Sequence, residues 1–71
     1  MTVAAYDKKE IGRRLRSKRL EARKDQKDVA KAVGVSVSTI GMYERGERVP
    51  REQTKIDLAN YFGVDVQSLF Y

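Results

Sequence analysis

Apolar residues recur at three- and four-residue spacing along most of the chain, and no stretch alternates as a half-buried strand would. Ile11, Leu15 and Ala22 share one helical face, with Leu20 on its edge, which predicts a first helix from about Lys8 to Arg23. Asp7 stands where a cap belongs, and Glu10 three residues on completes a capping box. A second stripe begins with Val29 and Val33. Asp25 is its cap and Asp28 sits in the first turn, where a carboxylate meets the positive end of the helix dipole. This second helix starts at Gln26 and ends near Val33. Ser36 caps a third helix, Val37 to about Glu44, with Ile40 and Tyr43 inward. In the turn that follows, Gly46 takes the left-handed position and Pro50 blocks an early restart. A fourth helix covers about Glu52 to Phe62, with Ile56, Ala59 and Phe62 inward, and stops at Gly63. Asp65 caps a short fifth helix, Val66 to Phe70. The expected fold is all-α: five short helices around one core, with residues 8–71 as one domain behind a loose arm of residues 1–7.

Residues 26–45 carry the densest information. Gly34 supplies the positive φ of a tight turn between two short helices. Ala30 is small where those helices approach, and Val29, Val33, Val35, Ile40 and Tyr43 form an inward stripe that fixes their angle. The pattern is a helix-turn-helix, and a helix held proud at such an angle suits the DNA major groove.

Charge strengthens that reading. The net charge is +5 in 71 residues. Most of the basic residues lie between Lys8 and Lys31, and none follows Lys55, so the field is lopsided and fits a polyanion. The chain has no cysteine and no histidine, which removes disulfides, thiolate chemistry, the common zinc sites and the usual neutral-pH base. The carboxylates are scattered at helix caps. No metal site, cofactor or catalytic cluster is expected, and the chain does not read as an enzyme. No apolar run reaches membrane-spanning length and no signal-peptide core is present, so a cytoplasmic protein is expected.

These motifs resemble the Cro/repressor-type helix-turn-helix family, the lambda-repressor-like DNA-binding domains of lambdoid phages and their bacterial XRE-type relatives. The likeness covers about residues 10–71. It rests on Arg13-Arg14-Leu15-Arg16-Ser17-Lys18-Arg19, on Gln26, Ala30, Gly34-Val35-Ser36, Ile40 and Tyr43-Glu44-Arg45-Gly46, on Pro50, and on Ala59-Asn60-Tyr61-Phe62-Gly63-Val64. The resemblance implies that the third helix is the recognition helix of a bacterial or phage-encoded regulator. Val37, Ser38, Gly41 and Met42 would then face base edges, with Thr39 on the flank. Gln26, Ser36, Arg45, Arg48 and Arg51 would hold phosphates. Arg19 and Glu44 would form a structural ion pair, with Arg19 also leaning toward phosphate. Three departures stand out. Arg23-Lys24 replaces a usual Gly-Leu, Asp25 puts a negative charge near the phosphate path, and Glu52 and Lys55 replace apolar residues, thinning the core beside the fourth helix.

The outward face of the third helix carries no Arg, Lys, Asn or Gln, so bidentate base pairings worth about 1–3 kcal/mol are missing from it. Methyl contacts to thymine from Val37 or Met42 and single hydroxyl bonds from Ser38 and Thr39 remain, with DNA shape supplying the rest. The expected function is a repressor that occupies palindromic or pseudo-palindromic double-stranded DNA as a homodimer. The apolar end of the chain offers Tyr61, Leu69, Phe70 and Tyr71 as dimer-interface residues. The alternative is an antitoxin-like protein that binds both its own promoter and a toxin partner.

Overall fold

The computed structural model describes residues 7–71, and residues 1–6 of the expected arm lie outside that range. Five helices follow one another: α1 (Lys8–Glu21), α2 (Gln26–Val33), α3 (Val37–Glu44), α4 (Glu52–Phe62) and α5 (Val66–Phe70). No strand occurs among the described residues, and no helix there is long and apolar enough to cross a membrane. α1 packs on α3 and α5, α2 on α3 and α4, and α4 on α5. Phe70, Leu15, Ile40, Leu58 and Val29 are fully enclosed at the centre. Val33 and Val35 pack at the margin of the same core.

Local chemistry sets the helix starts. The Asp7 carboxylate accepts from the backbone N–H groups of Lys9 and Glu10. Glu10 does not close the expected box there, because its carboxylate turns to Arg13 and Arg14. The closed box is at α2, where Asp25 accepts from Asp28 N at 2.9 Å and Asp28 reaches back to Asp25 N at 3.1 Å. The Asp28 N–H holds the Asp25 carboxyl below its ordinary pKa. The stabilisation from this cap is therefore present at neutral pH and is lost as pH falls through that lowered value.

The helix ends share one solution. After α1, Lys24 N donates to Arg19 O and Arg23 N to Leu20 O, so the last turn closes on itself and leaves Arg23 left-handed at φ 57°. Gly34 takes the corresponding place after α2 at φ 74°. A glycine adopts this conformation freely, whereas an arginine is strained by about 1–2 kcal/mol. α1 consequently stops at Glu21, two residues before the expected end.

Three expectations about burial need correction. Ala22 is exposed, because the turn has already begun there, and the inner face of α1 is Ile11, Gly12, Leu15 and Arg19. On α4 the enclosed residues are Thr54, Lys55, Leu58 and Ala59, while Ile56 and Phe62 are only half-buried. Lys55 does not thin the core: it is 4% exposed, its Nζ donates to the Tyr71 hydroxyl at 2.9 Å, and it lies over the Phe70 and Tyr71 rings. Its methylenes fill the space an apolar residue would take, and the rings and hydroxyl meet the charge.

Replacing Arg23 by Gly removes the left-handed strain and should raise stability by about 1 kcal/mol, a rise in melting temperature of about 4–8 °C for a domain this size. Thermal denaturation followed by circular dichroism checks this. A melting temperature unchanged or lowered would show that the turn stores no strain.

Candidate nucleic-acid interface

α3 stands between α1 and α2, and one carboxylate fixes it to both. Glu44, at its last turn, accepts from Arg19 Nε at 2.7 Å and Nη2 at 3.0 Å, and from Gln26 Nε2 at 3.1 Å. The two side chains of the ion pair are 10% and 4% exposed. Arg19 Nη1 donates to Lys24 O at 3.0 Å, so the guanidinium also holds the turn between α1 and α2. Hydrogen bonding to Glu44 raises the Arg19 pKa above its already high ordinary value, so the group stays charged. Close approach completes the joint. A methyl group at Gly12 would lie 2.5 Å from the Glu44 carbonyl oxygen, so only glycine allows α1 this near α3.

This geometry separates the residues expected at an interface. Arg19 is enclosed with its donors directed into the protein, which removes it as a phosphate contact. Gln26 gives its amide N–H to Glu44. Val37 is 44% exposed, Ser38 is exposed, and Thr39 and Met42 are half-buried on the outward side of α3. Gly41 is not open to a ligand as expected. It is buried, because the Arg45 guanidinium and the Gln26 side chain lie over it.

At the start of α3, Val35, Ser36, Thr39, Tyr43, Arg48, Val49, Arg51 and Thr54 line a shallow cavity of about 300 Å³. Ser36 caps the helix by accepting from Thr39 N, and the two hydroxyls are 2.8 Å apart. Arg48 and Arg51 are exposed and have no carboxylate within ion-pair distance among the described residues. Two unneutralised guanidiniums beside hydroxyl groups and a helix N-terminus suit an oxyanion such as a backbone phosphate. Arg45 differs from them. It pairs with Glu47, and their mutual hydrogen bonds raise the arginine pKa and lower that of the glutamate.

The residues named for a dimer seam also divide. Leu69 and Phe70 are 2% and 0% exposed, filling the core beneath α1 and α4, and so they cannot form the seam. Tyr61 is half-buried, edge-on to Phe62, and Tyr71 is exposed.

A helix-turn-helix family model matches residues 15–69. The chain is 34% identical over 56 residues to the cryptic phage CTXphi transcriptional repressor RstR of Vibrio cholerae, covering 79% of this chain and 50% of that protein. It is 38% identical over 58 residues to the uncharacterized HTH-type transcriptional regulator YazB of Bacillus subtilis (strain 168), covering 82% of this chain and 84% of that one. The restriction-modification controller protein C.AhdI from Aeromonas hydrophila superposes with a TM-score of 0.85 at 30% sequence identity, over 90% of this chain and 97% of its own. The chain thus spans about half the length of the Vibrio repressor and most of the other two.

Changing Glu44 to Ala strands a buried guanidinium and should destabilise the fold by about 3 kcal/mol, while the double change Arg19→Met/Glu44→Leu should stay within about 1 kcal/mol of the parent. Urea denaturation of the two variants and the parent measures this. Equal losses in both variants would mean that the shape of the pair, and not its charge, is what matters.

Proposed function

Because the chain belongs to the helix-turn-helix family, we propose that it is a transcriptional repressor that occupies operator DNA with α3 in the major groove. The observation that carries this reading is the outward side of α3, exposed at Val37 and Ser38, beside Arg48 and Arg51, which have no ion-pair partner among the described residues. A groove-reading helix needs a free face and phosphate contacts at its flank, and these lie together. The cavity at the start of α3 takes a backbone phosphate between Arg48 and Arg51, with the Ser36 and Thr39 hydroxyls at its wall. Val37 and Met42 pack against thymine methyl groups, and Ser38 donates or accepts one hydrogen bond at a base edge.

Two copies bind a palindromic or pseudo-palindromic site in the cytoplasm, since one such domain covers only a few base pairs. Tyr61 and Tyr71 are the aromatic residues left for the seam between them. The resemblance to a phage repressor and to a restriction-modification controller supports regulation by occupancy. In that scheme the protein's own abundance sets how fully the site is filled.

Affinity in this mode follows phosphate neutralisation. The double change Arg48→Ala/Arg51→Ala should reduce the steepness of log K against log salt by about 1.8 per subunit, because each phosphate contact contributes about 0.9. Fluorescence anisotropy on a labelled duplex, between about 50 and 200 mM salt, reads this directly. An unchanged slope would remove these two arginines from the interface.

A further inference from the structure

The outward face of α3 has no long polar side chain of its own, yet the fold delivers one to it. Arg45, at the C-cap of α3, runs back toward the helix N-terminus, as helical side chains do. Its guanidinium comes to rest over Gly41. A β-carbon at Gly41 would lie 2.9 Å from Arg45 Nη1 and 3.7 Å from Cζ. The Gln26 Oε1 is 3.8 Å from the same point. Glu47 grips the far edge of the guanidinium, accepting from Nε at 2.9 Å and from Nη2 at 3.3 Å. The pair remains in water, with side chains 59% and 54% exposed.

The carboxylate decides what this arginine suits. A phosphate clamp works through net positive charge, and Glu47 both cancels that charge and would itself repel a phosphate. A base edge is neutral and asks for directed donors. Glu47 uses the Nε/Nη2 edge, which leaves Nη1 and the outer hydrogen of Nη2 as an adjacent pair. Such a pair matches the O6 and N7 acceptors that guanine alone presents side by side in the major groove. We propose that Arg45 is a specificity-determining residue that reads a guanine, with Gly41 as its berth and Glu47 fixing its orientation. This rests on α3 being the groove helix, as proposed above. It adds a guanine to a site otherwise read through thymine methyl groups.

Selection of bound sites from random duplex DNA tests it, using the parent, the charge-neutral double variant Arg45→Ala/Glu47→Ala, and Gly41→Ala. Sites selected by the parent should share a guanine at one position of each half-site. The double variant should lose that preference and bind the parent's site roughly five- to hundredfold more weakly, the discrimination a bidentate base contact supplies, with its salt slope unchanged. A methyl group at Gly41 crowds the guanidinium off its berth, so Gly41→Ala should lose the same guanine. It should melt no lower than the parent, since Ala is the better helix former. A double variant that still selects the guanine would overturn the assignment while leaving α3 as the groove helix. A salt slope lowered by about 0.9 per subunit with the selected sequence intact would make the residue a phosphate contact instead. A parent that enriches no sequence would sink both this inference and the groove reading beneath it.

Discussion

The Glu44 carboxylate is the point on which the orientation of α3 depends. Its two oxygens bind a guanidinium from α1 and an amide from α2, and the same guanidinium holds the carbonyl of Lys24 between those helices. Three helices and one turn therefore meet in a single polar joint. An apolar contact there would hold the helices together by burial, which is not directional. Directed hydrogen bonds at 2.7 to 3.1 Å fix the angle as well. Such a joint adds little net stability, since two charges lose hydration to make it, and its value lies in specifying one arrangement. For a helix proposed to enter a groove, the angle matters more than the free energy.

The helices were legible because most boundaries have a local chemical cause. Asp25, Gly34 and Ser36 mark their positions by capping and turn chemistry that depends only on near neighbours, and α2 and the start of α3 fall where these residues put them. The starts of α4 at Glu52 and α5 at Val66 have no side-chain cap, and Asp65 does not make the capping bond expected of it. The end of α1 was less legible because its left-handed residue is Arg23, which no rule of local preference would choose. Burial was harder still. Lys55 reads as a surface residue until the rings of Phe70 and Tyr71, which come from the end of the chain, are seen around it. Gly12 gave no signal along the chain, because its role is set by the backbone of α3 across the interface. Arg19 and Glu44 were placed by resemblance, and spacing alone would not have paired residues on two different helices. Leu69 and Phe70 have the composition of a seam and the position of a core, and only their packing separates the two.

The covered face of Gly41 likewise depends on a residue further along the chain. The outward side of α3 appears bare when each residue is assigned to its own position on the helix. A long side chain, however, covers the turn N-terminal to its own Cα, so the surface over Gly41 belongs to Arg45. The space left by the missing side chain is what admits the guanidinium.

Three electrostatic conditions of arginine then coexist within a small region, and they suit three different tasks. Arg19 is enclosed and neutralised by Glu44, so its charge does not project and its hydrogen bonds act inward as structure. Arg48 and Arg51 are exposed with no carboxylate within ion-pair distance among the described residues, so their charge reaches into solvent, where it suits a polyanion whatever its sequence. Arg45 is exposed but neutralised by Glu47, so it offers direction without net charge. Affinity for a duplex comes from unneutralised charge, and discrimination among duplexes comes from directed donors. The positions of Glu44 and Glu47 set these conditions: one carboxylate turns Arg19 inward as structure, and the other orients Arg45 at the surface.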